Sequence, residues 1–265
     1  MIVFKSAGDC VIELKLLDDS LTNLKRKNVV DRDHAKFRCD KAYVVSITNK
    51  ITKEKKDKIV SDFTDNFEYM VDSVVTVDDF DDDLEKICTH GIHFYTKYET
   101  AFFHNLKYDN YAGEYKEWWE NGQLNKSYTV INGLYHGDYK MWDEKGKHVL
   151  ERHFVNGLEC GEIKIWHSNG QLYDHYTRII VNDESVANGV HRQWSEDGIL
   201  IQEDNYVNGK LHGLYRTFYN SGNLMEQCTY IDGTIKGKHV MYSDSGEVLG
   251  CRFYADEENK SNETN

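Results

Sequence analysis

The stretch Gly113-Glu-Tyr-Lys-Glu-Trp118-Trp-Glu-Asn-Gly122-Gln-Leu124 decides the fold, because the same phrase begins again at Gly137, Gly161, Gly189, Gly213 and Gly237. The steps between the leading glycines are 24, 24, 28, 24 and 24 residues. A period of this length is the mark of a repeat architecture, in which each unit buries its apolar face only by stacking on its neighbours. Nine residues behind each leading glycine stands another: Gly122, Gly146, Gly170, Gly198, Gly222 and Gly246. Asn121, Asn169 and Asp197 precede three of these, as in tight hairpin turns. Asn132-Gly133, Asn156-Gly157, Asn208-Gly209 and Asp232-Gly233 supply a second turn in each unit. A helix does not tolerate glycine this often. Each unit therefore reads as two short strands and two turns, and residues 106–255 as six β-hairpin repeats in a single elongated antiparallel sheet.

Five residues into each unit comes a large aromatic: Trp118, Trp142, Trp166, Trp194, Phe218 and Tyr242. The returning strand answers with Leu124, His148, Leu172, Leu200, Leu224 and Val248, and ends near Val130, Phe154, Tyr206, Tyr230 and Tyr254. Cross-strand apolar pairs stabilise a sheet by roughly 0.2–1 kcal/mol each. These columns are expected to form the core; a ligand-stacking stripe is the competing reading.

The phrase Gly-x-Tyr-Lys-x-Trp-x-x-Asn-Gly-Gln-Leu, followed by Asn-Gly and a closing His-Gly, resembles the MORN-type repeat, in the variant of bacterial antitoxin-like proteins and of repeat proteins of giant DNA viruses. The resemblance is good over Gly113–Gly137, Gly161–Leu172 and Gly189–Gly233, and weaker over Gly137–Gly161, where Lys145 and Lys147 replace the turn Asn and the following Gln. An insertion around Val181–Asn188 removes one turn glycine and predicts a bulged loop, and Glu257 in its place in the last unit suits a capping repeat. The resemblance implies a binding scaffold, and for some such proteins a membrane or phospholipid association.

Residues 1–105 lack the period and read as a separate small α+β module. Val11–Leu16 alternates like a half-buried strand, and Ala42–Ile47 is a continuous apolar one. Leu17, Leu21 and Leu24 predict a helix over Leu17–Lys27, and Asp81–Cys88 a second with aspartates at its positive end. Phe67–Val71 and Val74–Val77 are expected to pair as strands, Gly91–Tyr95 to form another, and Tyr98–Phe103 one or two helical turns. Cys88-Thr-His-Gly-Ile-His-Phe-Tyr95 with Glu99 and Ala101, and more loosely Phe37–Ala42, resemble an uncharacterised module that precedes repeats in giant-virus proteins. That resemblance implies a virus-encoded chain and no activity.

Composition narrows the function classes. With 45 acidic residues against 32 lysines and arginines, the net charge of −13 opposes binding to nucleic-acid phosphates. Met1–Phe4 is too short for a secretory signal, and no apolar run reaches membrane-spanning length, which places the chain inside a cell, or in host cytoplasm or virion for a viral protein. The 6 cysteines are scattered and read as free thiols, and the Asn-x-Ser/Thr triplets at Asn125, Asn259 and Asn262 as unglycosylated.

Four local features resemble sites but have simpler readings. Cys88, His90 and His93 sit close enough to suggest zinc, but Gly91 and Ile92 read better as a turn entering a strand. Asp79, Asp81 and Asp83 alternate as in a calcium loop, yet Leu84 and His90 stand where glycine and glutamate are needed. Lys50–Lys58 reads as an exposed loop or helix face. His136 and His212 share a variable column before a leading glycine and read as turn positions. No nucleophile elbow, phosphate loop or zinc-helix motif occurs, so no catalytic, cofactor-binding or metal residue is assigned and the protein reads as non-enzymatic.

The favoured function is an extended β surface for an unidentified protein partner, with an antitoxin-like binding partner and a membrane-associated scaffold as alternatives. For an anionic membrane surface the best argument is the aligned cation column Lys116, Lys140, Lys164, Arg192 and Arg216, whose simpler reading is edge protection and pairing with acids. The tail Asp256–Asn265 has no apolar anchor and is expected to be disordered.

Overall fold

The structure is a computed structural model that describes residues 1–62, 67–107 and 111–255. The expected disorder of the tail, the capping role of Glu257 and the triplets at Asn259 and Asn262 lie outside the described residues. The chain divides into two compact units, Met1–Leu134 with Met141–Lys147, and Tyr135–Lys140 with His148–Asn265.

In the first unit the strands are β1 (Ile2–Ala7), β2 (Cys10–Lys15), β3 (Lys36–Cys39), β4 (Lys41–Asn49), β5 (Lys55–Lys56), β6 (Lys58–Val60), β7 (Glu68–Met70), β8 (Val74–Thr76) and β9 (Ile92–Tyr95), followed by the short helix α1 (Tyr98–Phe103). Seven of them form an antiparallel sheet in the order β3-β9-β1-β2-β4-β5, with β8 beside β4. Cys10, Ile12 and Leu14 of β2 enter the main core with Val3, Phe37, Val44, Ile47 and Phe94. Val11, between them, turns to the opposite face and is buried with Tyr95, Ala101 and Phe102. The predicted strand is therefore covered on both faces, because α1 supplies a lid to the side expected to face water.

Several local expectations for this module fail, each for an identifiable reason. Leu17–Lys27 contains no helix. Its backbone is taken by side chains and by β3 instead: Leu17 N–H donates to Ser20 Oγ, Leu21 N–H to Asp40 Oδ1, and Asn23 exchanges hydrogen bonds with the Arg38 backbone. Asp81–Cys88 is not helical either. A helix would consume its carbonyls internally, but here they are held by the buried Arg38 guanidinium, whose Nε donates to Lys86 O at 3.0 Å and whose terminal nitrogens donate to Asp81 O, Asp83 O and His90 O. Asn23 adds two bonds, to Leu84 O and Lys86 O. Phe67–Val71 and Val74–Val77 do not pair with one another: β7 pairs with β6, and β8 with β4. Lys50 is buried rather than exposed, its ammonium donating to Ser6 Oγ at 2.8 Å and His104 O at 2.6 Å.

The repeats supply β10 (Gly113–Trp118), β11 (Leu124–Ile131), β12 (Leu134–Trp142), β13 (His148–Val155), β14 (Leu158–Trp166), β15 (Leu172–Val181), β16 (Glu184–Ala187), β17 (Gly189–Trp194), β18 (Leu200–Val207), β19 (Lys210–Leu211), β20 (Gly213–Phe218), β21 (Leu224–Ile231), β22 (Thr234–Tyr242) and β23 (Val248–Tyr254). They form one 14-stranded antiparallel sheet of successive hairpins, as expected from the period. The two turns of each repeat differ in kind. Asn132 and Gly133 both have positive φ, 52° and 75°, the two-residue hairpin turn that Asn-Gly favours. At the other turn only the glycine goes left-handed. Gly122 N–H donates to Trp119 O, Gly122 has φ 91°, and the register slips by one residue between Glu117 and Trp118. That is a wider turn closed by a bulge, so Asn121 serves it through its side chain, accepting from Gln123 N–H, rather than through its backbone.

The insertion opens no wide loop at its turn. Asn182 and Asp183, at φ 51° and 61°, build the same two-residue turn, and β16 continues the pairing from Val181↔Glu184 to Arg178↔Ala187. The hairpin is lengthened on both arms, and its register shifts between Arg178↔Ala187 and His175↔Arg192, as that of β13 with β14 does between Glu151 and His153.

Candidate functional site

Within the second unit, register places a single row of side chains on one face, strand by strand. Direct neighbours run Glu151–Lys164–His175–Arg192–Glu203–Arg216–Gln227–Val240–Cys251. The cations of the row meet acids. Arg192 Nε lies 2.7 Å from Glu203 Oε2, Arg216 reaches the other Glu203 oxygen, and Lys164 lies 2.9 Å from Glu162. Hydrogen bonding from Arg216 holds the Glu203 carboxyl below its usual range. Lys140 lies 3.9 Å from Glu151, and in the first unit Lys116 lies 3.2 Å from Glu99. The predicted cation column is thus on a sheet face, each member beside a carboxylate, and not along a strand edge.

Two positions along each leading strand, and so on the same face, the aromatic column pairs with the returning strand: Trp166↔Leu172, Trp194↔Leu200, Phe218↔Leu224 and Tyr242↔Val248. These aromatics are half-buried, not a core. Apart from Val240 in the row just described, the more buried positions lie on the opposite face, three residues into the leading strand and across from it. They hold Tyr115 with Tyr128, Ile163 with the half-buried Tyr176, the half-buried His191 with Asp204, and the half-buried Tyr215 with Cys228. No sequence column signals this stripe, because its chemistry changes from repeat to repeat. In the fourth repeat it is ionic: His191 Nδ1 lies 2.9 Å from Asp204 Oδ1 and its Nε2 2.9 Å from Asp174 Oδ1. Burial opposes the imidazolium, but hydrogen bonds to Asp174 and Asp204 outweigh it and push the pKa up to about 9.

A second alternation escaped the sequence reading. Six residues after the leading glycine, Trp119 Nε1 donates to Trp142 O, His167 Nε2 to Trp194 O and Tyr219 OH to Tyr242 O. At the turns, Asn121 donates to Glu144 O, Asn169 to Glu196 O and Asn223 to Asp244 O. The intervening repeats carry Asp143, Ser195 and Ser243 in that column, whose side chains serve their own turns. The signal was present as a strict alternation of ring and small residue.

The first turn is treated differently from the others. Asn121 O accepts from Val30 N–H and Asp31 N–H, and Glu120 O from Lys36 N–H and the Arg26 guanidinium. The Trp118 ring stacks on His34, with centroids 4.7 Å apart. The residues weighed for zinc part ways: His90 Nδ1 faces Asp79, His93 Nε2 donates to Ile87 O, and Cys88 Sγ donates to Glu120 Oε1. All 6 cysteines are free. His136 accepts from Asn156 N–H, and His212 lies 3.3 Å from Asp232, both at the second turns.

Comparison with known families adds two matches. Residues 1–101 match a family of unknown function, DUF5758. Residues 112–132, 135–156, 187–208 and 211–232 match a MORN repeat variant, so the chain carries MORN-type repeats. The hairpin beginning at Gly137, with its atypical Lys145 and Lys147, falls inside a matched segment, whereas those beginning at Gly161 and Gly237 fall outside them while keeping the same strands. No curated protein matches the chain. No helix among the described residues is long and apolar enough to cross a membrane.

Proposed function

We propose that the repeat sheet is a non-enzymatic docking surface for a protein partner, and that the partner lies on the face carrying Trp166, Trp194, Phe218 and Tyr242. One observation carries this reading: a ladder of half-buried aromatics runs beside a row of charges that neutralise one another. Aromatic residues and arginine dominate the energetics of protein interfaces, and a charge row already paired has little attraction left for an anionic lipid surface. Val190 and Leu214, about two-fifths exposed, stand on the same face by their register with Asn205 and Thr229.

The test is affinity capture from the native cell extract with wild-type protein and with Val190→Asp plus Leu214→Asp. Both positions are solvent-facing, so the melting temperature is expected to stay within a few degrees of wild type. A saturable partner retained by wild type and lost by the double variant supports the reading. Equal recovery by both proteins would place the partner elsewhere.

A further inference from the structure

The N-terminal module contains a cleft of about 800 Å³ lined by Lys5 of β1 together with Phe67, Tyr69, Val77 and Tyr95. Lys5 is only 7% exposed. Its ammonium carries three donors, yet among the described residues it makes a single long hydrogen bond, 3.4 Å to His93 O, with the Tyr69 ring centroid 5.7 Å away. No carboxylate among the described residues lies within ion-pair distance of it. A buried charge normally acquires partners, because leaving one unpaired is costly.

The other buried lysine shows what a structural role looks like here. Lys50 Nζ is satisfied by Ser6 Oγ and His104 O, and so is committed to the fold. Lys36, also in the cleft lining, faces Glu120 Oε1 at 3.4 Å. Burial drives two of the cleft's imidazoles, His93 and His104, down to about 4 and keeps them neutral. Asp79, at the rim, is taken by His90. Lys5 remains without a carboxylate in direct contact among the described residues; Asp62, whose carboxylate accepts from Gly8 N–H, acts on it only at longer range. Burial lowers Lys5 to about 8, which leaves it mostly protonated at neutral pH.

We propose that this cleft binds a small organic monocarboxylate, its carboxylate on the Lys5 ammonium and its apolar body between Phe67, Tyr69, Val77 and Tyr95. One buried cation matches the single negative charge of a monocarboxylate, and Phe67, Tyr69, Val77 and Tyr95 match an apolar body. The pairing is charge-assisted and shielded from water, the setting in which such a hydrogen bond contributes most.

Isothermal titration of the full chain with benzoate, phenylacetate and 4-phenylbutyrate, against phenylacetamide and phenyl phosphate, tests the assignment. At least one carboxylate should saturate at one site, with phenylacetamide and phenyl phosphate more than about tenfold weaker, a difference of one decade in Kd. Lys5→Met should abolish carboxylate binding while raising the melting temperature of the free protein, because the desolvated charge is gone. Lys5→Arg should retain part of the affinity. Absence of saturable binding by all three carboxylates overturns the proposal, as does equal binding of the amide, preference for the phosphate, or unchanged affinity in Lys5→Met. The comparison among ligands on the wild-type chain stands even if a variant does not fold.

Discussion

Single residues decide how the N-terminal module closes. Gly122 is unlike the other turn glycines, because a Cβ there would lie 1.9 Å from Asp31 O, whereas nothing lies within 4 Å of the corresponding point at Gly246. Both have positive φ, so alanine at either site bears a left-handed backbone cost of about 1–2 kcal/mol. Gly122→Ala must in addition displace the backbone of the 30–35 segment. Chemical denaturation should therefore show a loss of about 3 kcal/mol or more for Gly122→Ala, against about 1 kcal/mol for Gly246→Ala. Equal losses would mean that the first turn is not clasped. Arg38 is the second such residue. It is fully buried and donates to four carbonyls of the 81–90 segment. Arg38→Met leaves those acceptors without their donor, at a cost of about 3 kcal/mol or more. Limited proteolysis should then cut within 81–90 well before any other site, and an unchanged digestion pattern would count against the role given to the guanidinium.

At the scale of elements, the repeats share a backbone plan but not a buried stripe. The ionic stripe of the fourth repeat makes its stability depend on pH. The folded pKa of His191, about 9, lies above its ordinary value of 6.5, so the protonated imidazole stabilises the fold fully below about pH 6.5, and that contribution disappears as pH rises through about 9. The stability difference between wild type and His191→Gln should accordingly be largest near pH 6 and should shrink toward pH 10. A difference that grows with pH would contradict the Asp174–His191–Asp204 arrangement. The alternating side-chain donors predict a second element-level effect. Tyr219→Phe removes the hydrogen bond to Tyr242 O and should cost about 1 kcal/mol, the usual worth of one such bond. In the intervening repeats the same column has no such donor to lose. This alternation was readable in the sequence as Trp119, Asp143, His167, Ser195, Tyr219 and Ser243, but only the hydrogen bonds give it meaning.

For the whole molecule, the boundary between the two compact units does not follow the boundary between module and repeats. β10 and β11 group with residues 1–105, and Met141–Lys147 with them, while Tyr135–Lys140 groups with the later hairpins. Native-state hydrogen exchange should show the amides of β10 and β11 opening with β1–β4 rather than with β17–β23. If the first hairpin exchanges with the later repeats, the clasp at Glu120–Gly122 is energetically minor.

The hairpin sheet was legible because its causes are local. A glycine every few residues, Asn-Gly pairs and a fixed 24-residue step specify turns and strand lengths whatever surrounds them. Those same signals do not say which face is buried, since burial follows from cross-strand register, and the columns that looked most like a core, Trp118 to Tyr242, are half-buried. In the module the local signals misled. Leu17–Lys27 has helical spacing and Asp81–Cys88 has aspartates where a helix would begin, but Asn23 and Arg38 take up the backbone groups a helix would have used. The Lys5 ammonium in the cleft lining was equally hidden, because a lysine in a short N-terminal strand looks the same in sequence whether it faces water or Tyr69. Sequence alone determined the repeats, their turns and their period. Tertiary structure alone decided which backbone groups are claimed by side chains, which charges are buried and which side chains share a sheet face, because each depends on partners brought together from far along the chain.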